Sequence, residues 1–490
     1  MDTLTRSRPL IALAGLILVL SAPVQAQQAT KIVAPDGEGG DRFGYSVSLD
    51  GEVAIVGAYT ADTFRGAAYA FRQVGEEWVE EAKLTPSLGG EFFGRSVSVS
   101  GAVALVGAPS AVTDGVATGA AYVFRWDGSQ WVEEAVLMAS DGATGDAFGQ
   151  SVSISGDVAI VAAVFDDDNG TDSGSAYIFR RDGEEWVEEA KLTAPDGGVE
   201  EWFGYGVAVS GDVAVVPNAD PYDPGTYVYR WNGGAWVEAS RLPYSGYVLA
   251  VSVSEDVIVT GTPTTNTWSG QATVFRWDGS SWVEEAVLFA SDGAESDQFG
   301  RSVSVSGDVA LIGAWQADAH GSNSGAAYVF RWDGAQWVEG AKLTATDGAG
   351  GDWFGQSVSV SGNTALVGAV LDDDNGTDSG SAYVYDLSAP VAGEETPVAN
   401  LGPPSATLAP PYPNPSSAST SIGFRLSTAS YVSVGIYDLL GRNVTEVFDG
   451  PATEGLHTVT FDASRLPAGV YVVRLEADGE VDHRRVVVTR

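Results

Sequence analysis

Residues 93–137 decide the fold: Phe93-Gly94-Arg95, then Ser96-Val97-Ser98-Val99-Ser100, Gly101, Val103-Ala104-Leu105-Val106-Gly107-Ala108-Pro109, and Ala120-Ala121-Tyr122-Val123-Phe124-Arg125. They close on Trp126-Asp127-Gly128-Ser129-Gln130-Trp131 and a run to Leu137. The Ser/Val alternation from Arg95 to Ser100 has the period of two of a strand. Gly101 turns the chain, Val103 to Gly107 predicts a second strand, Ala120 to Arg125 a third, and Trp131 to Leu137 a fourth. Asp127-Gly128 supplies the backbone freedom that a tight hairpin between the last two requires.

Working outward, the same paragraph recurs. Phe-Gly appears at Phe43-Gly44, Phe93-Gly94, Phe148-Gly149, Phe203-Gly204, Phe299-Gly300 and Phe354-Gly355, with a degenerate copy at Gly246-Tyr247. A unit of four strands repeated at this period cannot bury both of its faces alone, and seven such units stacked around an axis predict an all-β, seven-bladed β-propeller. The Val and Leu faces are expected to pack between blades, with Ser and Ala permitting close approach near the axis. The last copy stops at Ala382-Tyr383-Val384-Tyr385 without a fourth strand. Thr30-Lys31-Ile32-Val33-Ala34-Pro35-Asp36-Gly37 matches the fourth-strand ending Ala190-Lys191-Leu192-Thr193-Ala194-Pro195-Asp196-Gly197. The start of the chain is therefore expected to complete the seventh blade.

Composition narrows the function. The 490 residues carry a formal charge of -40 and no Cys, and only four of the 25 basic residues are Lys: Lys31, Lys83, Lys191 and Lys342. Thiol chemistry, Cys-ligated metals and disulfides are excluded, and such acidity argues against nucleic acid as a partner. Arg6 and Arg8 precede an apolar run from Leu10 to Leu20 and the small-residue pattern Val24-Gln25-Ala26. Residues 1–26 read as a secretory signal peptide too short to span a bilayer, and no later stretch reads as a membrane span. Residues 27–387 hold the repeats and 388–411 a Pro-rich linker. Residues 412–490 predict a small Ig-like β-sandwich, with strands at residues 421–426, 432–437, 457–461, 470–476 and 484–488.

The Phe-Gly pairs together with Gly107-Ala108-Pro109 and the partial copies Gly57-Ala58, Gly313-Ala314 and Gly368-Ala369 resemble the FG-GAP repeat of integrin alpha-chain propellers and of bacterial secreted proteins. Integrin-type repeats carry an Asp-x-Asp-x-Asp-Gly calcium loop between their first two strands. This chain has short turns such as Ser155-Gly156-Asp157 there, so the resemblance does not bring calcium to that position. Tyr412-Pro413-Asn414-Pro415, residues 436–442, residues 466–471 and the basic ending Arg484-Arg485-Val486-Val487-Val488 resemble the C-terminal sorting domain of the type IX secretion system. That resemblance implies passage through the periplasm, recognition of residues 412–490 by the secretion machinery, and release or attachment at the outer cell surface.

Alternating strand direction places the loops between strands 2 and 3, and those between strand 4 and the next strand 1, on one face. Two acidic loops fall there. Asp166, Asp168 and Asp172, and equivalently Asp372, Asp374 and Asp378, offer hard oxygen ligands of the kind calcium takes. The alternative is a solvated acidic turn of ordinary Asp, Asn and Gly. The paired Trp residues of each hairpin read as cross-strand packing rather than a carbohydrate platform. Non-repeated aromatics in blades four and five, Tyr222, Tyr244, Tyr247 and Trp268, are candidate ligand contacts, with sequence drift as the alternative. No nucleophile triad, metal-binding His pair or phosphate loop is present, and His320 reads as a loop residue. The expectation is a secreted or surface-displayed binding or adhesion module, not an enzyme, taking an extracellular protein or glycan. A propeller-based polysaccharide lyase or hydrolase, and a structural matrix or spacer protein, stand as alternatives.

Overall fold

The computed structural model describes residues 29–388, 406–408 and 419–488, apart from 114, 196, 220–224, 244–245, 427–428, 438–441, 454, 468 and 478–479. The signal peptide and most of the linker thus lie outside the described residues. Two compact units divide between Gly393 and Glu394.

The first unit is built from seven four-stranded antiparallel sheets. In blade 2 the strands are Ser96–Ser100, Val103–Ala108, Ala120–Trp126 and Trp131–Leu137, within a residue of the sequence reading. The seventh sheet takes its outer strand from the other end of the unit. Ala29–Ile32 pairs antiparallel with Ser381–Asp386, with Lys31 opposite Tyr383 and Ile32 opposite Ala382. Hydrophobic clusters bridge each consecutive pair of blades. The one that closes the ring joins Ile32, Leu366, Ala382 and Val384 of blade 7 to Phe43, Ala54, Val56 and Tyr69 of blade 1.

The repeated glycines are explained by backbone contact. A Cβ on Gly107 would lie 2.0 Å from the carbonyl oxygen of Gly149, and one on Gly149, at φ +96°, would lie 2.4 Å from that of Ala120. Blade meets blade backbone against backbone at this point, so only a residue without a side chain fits. Each Phe is buried beside its glycine and packs against the Tyr of strand 3, edge-on at every pair but the tilted Phe203–Tyr227, as Phe93 does on Tyr122 at 5.4 Å.

The serines of the inner strands do more than allow close approach. An inner strand has one open edge facing the axis, whose amides need acceptors. Ser48 Oγ accepts from Val99 N at 3.0 Å, Ser98 from Ile154 N at 3.0 Å, Ser304 from Val360 N at 3.0 Å, and Ser359 closes the circle onto Leu49 N at 2.9 Å. A second ring at the turn end is complete around all seven blades. It runs from Gly51 N on Ser361 Oγ (3.0 Å) through Gly101 N on Asp50 Oδ2 (2.7 Å) to Gly362 N on Ser306 Oγ (3.1 Å).

The second unit is a sandwich of one three-stranded and one four-stranded antiparallel sheet around a shared core that includes Ile422, Phe424, Val434, Ile436, Val473 and Leu475. Two strands were not foreseen. Ala406–Leu408 pairs with Ser419–Leu426 and buries Leu408, so the final residues assigned to the linker belong to the sandwich. Asn443–Ala452 forms an edge strand whose Gly450-Pro451 had the look of a turn; an edge has no second neighbour, so the missing amide of Pro451 is tolerated.

Candidate binding face

On the loop-rich face the acidic loops close around lysine. Lys191 Nζ lies 2.7 Å from Asp141 Oδ2 in the loop entering blade 3 and 3.0 Å from Asp166 Oδ2 in the loop between its strands 2 and 3, and it also pairs with Asp168. Tyr177 OH donates to both Asp141 Oδ1 (2.8 Å) and Asp166 Oδ2 (2.9 Å), and the ammonium stands 5.1 Å from the Tyr177 ring. Blade 7 repeats the arrangement with the borrowed strand. Lys31 Nζ is 2.9 Å from Asp347 and 2.8 Å from Asp372, and also pairs with Asp374, while Tyr383 bonds Asp347 and Asp372. Lys83 joins Asp36 (2.8 Å) to Asp62 (3.1 Å) in blade 1, and Lys342 pairs with Asp292 (2.6 Å) in blade 6. Every lysine of the chain is used this way. The shared clusters also place both loop sets on one face, as the strand directions require.

Burial works against the charge of Lys191 and of Lys31, but the surrounding carboxylates outweigh it and hold both above the ordinary ammonium value. Burial likewise pushes Asp141 upward, and the hydrogen bonds from Lys191 and Tyr177 outweigh it, leaving that carboxyl below its usual range. The second aspartate of the same loop behaves oppositely. Asp146 is buried, and burial, aided by the nearby Asp166 and Asp167, raises it against the bond from Ala143 N (2.6 Å) and the charge of Lys191.

The calcium expectation falls on these same loops. Asp166 and Asp168, and Asp372 and Asp374, converge on an ammonium instead of enclosing space for an ion. Asp172 and Asp378 take left-handed backbone at φ 54° and spend their amides on Asp167 and Asp373. Among the described residues no group of three His, Cys, Asp or Glu is arranged to hold a metal.

Of the four aromatic candidates, Tyr222 and Tyr244 lie outside the described residues. Trp268 is 52% exposed on a short turn. Tyr247 is half-buried; Leu249 N bonds Gly261 O as Gly94 N bonds Gly107 O, so the buried Val248 takes the place of the repeat's phenylalanine and Tyr247 stands one residue before it. The hairpin tryptophans pack in pairs, Trp126 on Trp131 at 5.9 Å and Trp277 on Trp282 at 5.6 Å. Several also bind the neighbouring blade: Trp131 Nε1 donates to Glu81 at 3.0 Å and Arg72 stacks on Trp126 at 5.0 Å. His320 bonds Thr344 Oγ1 at 3.0 Å in an exposed loop.

The sequence reading passed over the residue that follows each Phe-Gly pair. Closure brings Tyr45, Arg95, Gln150, Tyr205, Leu249, Arg301 and Gln356, one per blade, around the axis, where they line a cavity of about 230 Å³. The signal was available: a position that switches among Tyr, Arg, Gln and Leu directly beside a pair that hardly changes.

Comparison with known proteins agrees with this architecture. The FG-GAP repeat family matches residues 26–71, 78–124, 131–179, 186–229, 282–330 and 337–385, more than half of the chain. The unmatched interval contains the degenerate blade 5. The secretion system C-terminal sorting domain matches residues 411–489. No curated protein matches. Among solved structures, that of Saccharomyces cerevisiae Sqt1 is similar at 10% identity with a TM-score of 0.43, covering 87% of this chain and 97% of that one. With the Phe-Gly and Gly-Ala glycines pressed together at each blade junction and the repeats in register around a closed ring, the chain belongs to the FG-GAP repeat family, and its sorting domain marks it for type IX export to the cell surface or the medium.

Proposed function

We propose that this exported propeller is a binding or adhesion module that takes an extracellular protein or glycan through its loop-rich face. The observation that supports the reading is the contrast between its two faces. The turn face is closed by seven near-identical turns tied into one hydrogen-bonded ring. The loop-rich face varies among the blades, from the hairpin Val112–Thr113 and Val116–Ala117 in blade 2 to the short turn carrying Trp268 in blade 5. Packing demands uniformity at the first face and leaves the second free to differ. The engagement of the carboxylates supports binding rather than catalysis: the clustered aspartates of blades 3 and 7 are spent on lysine and tyrosine partners. The type IX machinery is the partner of residues 412–490.

A glycan and extracellular-protein array probed with the full exported chain, with and without calcium and beside a turnover assay on polysaccharides, tests the reading. Saturable binding without turnover is expected. Turnover would favour the lyase or hydrolase alternative, and absence of binding the spacer. Removing residues 411–490 is expected to leave the propeller in the periplasm.

A further inference from the structure

Arg95 and Arg301 differ from most arginines of the ring. Four on the third strands are matched to glutamates, Arg180 to Glu189 at 3.0 Å, Arg276 to Glu285 at 2.8 Å, and Arg72 and Arg125 to Glu81 and Glu134, while Arg230 stacks on Trp277 at 4.1 Å and Arg331 bonds Asn363 Oδ1 and Leu387 O. Arg95 and Arg301 line the axial cavity, and among the described residues neither is hydrogen-bonded or ion-paired to a carboxylate, in a chain of formal charge -40. Burial pushes the Arg95 guanidinium down to about 10, with Tyr205 opposing and the nearby charge of Arg301 adding to the depression; burial lowers Arg301 too. Arg95 stacks on Tyr45 at 4.5 Å, yet two like charges lining one small cavity remain costly unless an anion joins them.

The rest of the cavity wall asks for hydroxyl groups. Gln356 is 9% exposed and its Oε1 has no donor. Ser302 and Ser357 have given their protons to Gly355 O (2.9 Å) and Gly44 O (2.7 Å), which leaves their oxygens as acceptors. Tyr205 offers an aromatic ring in the same wall. A volume of about 230 Å³ suits one sugar-sized group rather than a threaded chain.

We propose that the mouth of the axial channel binds a hexuronate, its carboxylate held between Arg95 and Arg301, its hydroxyls donating to Gln356 and the channel serines, and its ring set beside Tyr205. The proposal rests on the binding reading above and names its ligand class. An aspartate or glutamate side chain would satisfy the guanidiniums but brings no hydroxyl donors, so an acidic saccharide is the better match.

Calorimetry on the full exported chain tests it, with galacturonate and glucuronate as ligands and galactose, glutamate and sulfate as comparison arms. Heat is expected with a uronate, with affinity at least tenfold weaker for galactose and for glutamate. Arg95→Gln and Arg301→Met should each weaken uronate binding at least tenfold, and Arg301→Met should leave the melting temperature unchanged or raised, because an unpaired buried charge has gone. If that variant fails to fold, Gln356→Leu serves instead, with the same loss of affinity expected. Equal binding of galactose, glutamate or sulfate, full affinity in the arginine variants, or no heat with either uronate overturns the proposal. A chain that binds on the array but not to uronates overturns this inference alone, whereas one that binds nothing there overturns the broader reading.

Discussion

Blades 3 and 2 are neighbours with nearly the same strands and opposite electrostatics. Blade 3 holds Asp141, Tyr177 and Lys191 in one cluster. Blade 2 has Leu88 and Val136 at the places of the aspartate and the lysine, and keeps Tyr122, whose hydroxyl is buried without a partner. Blade 5 has also lost the lysine, to Val287, and the tyrosine, to Thr273. Charges have been lost together because a half-removed cluster is worse than none. An ion left buried without its counter-ion costs several kcal/mol, whereas an apolar replacement of the whole set is close to neutral. The lysines therefore answer the repulsion of an acidic loop face locally, where both loops of a blade supply carboxylates.

The largest break in this comparison comes from removing a cluster together with its strand. Deleting residues 29–35 takes away Lys31, Ile32 and Ala34 and reopens the ring. The loss is expected to exceed about 5 kcal/mol, enough to unfold a propeller of ordinary stability, read by thermal melting. Next comes Lys191→Met. Asp166, with a side chain 4% exposed, is left with neutral donors only, Tyr177 OH and Asp168 N, and destabilisation of about 3 kcal/mol is expected. Lys83→Met should cost under about 1 kcal/mol, since Asp36 and Asp62 are each 54% exposed and water can replace the ammonium. Equal effects of the two substitutions in chemical denaturation would contradict the distinction.

Acid separates the two kinds of aspartate. Asp141, Asp292 and Asp347 have folded values below the unfolded one, so their stabilisation is complete above pH ~4 and is lost as the pH falls through their folded values. Asp146, Asp297 and Asp352 are raised by burial, so they cost stability at neutral pH and relieve it as they protonate at higher pH than the first group. On acidification the melting temperature is expected to rise first, as the second group protonates, and then to fall as the first group does. A monotonic fall from pH 7 would contradict the assignment. The smallest effect sharpens the comparison directly. Leu88→Asp and Val136→Lys should each destabilise blade 2, while the double variant recovers about 1 kcal/mol through coupling that also gives Tyr122 an acceptor.

Much of this was legible in the residues. Ser96 to Ser100 and its copies specified inner strands, the Phe-Gly spacing counted the blades, and the likeness of Thr30-Lys31-Ile32 to a fourth-strand ending foretold the closure. The sandwich was read with its core strands in place. Its edge strand and the short strand at Ala406–Leu408 escaped because pairing, not local pattern, makes them strands. The calcium expectation at Asp166 and Asp372 treated each loop alone. Its answer, Lys191 or Lys31, lies 25 residues from Asp166 in one case and 341 from Asp372 in the other.

The sequence by itself determined the periodicity, the strands, the number of sectors and the export signals, because each depends on local alternation or on motifs contiguous in the chain. Only the tertiary structure decided which cation neutralises each acidic loop and which seven side chains face one another across the axis. Those residues are brought together by ring closure, and convergence on a common centre leaves no mark on neighbours along the chain.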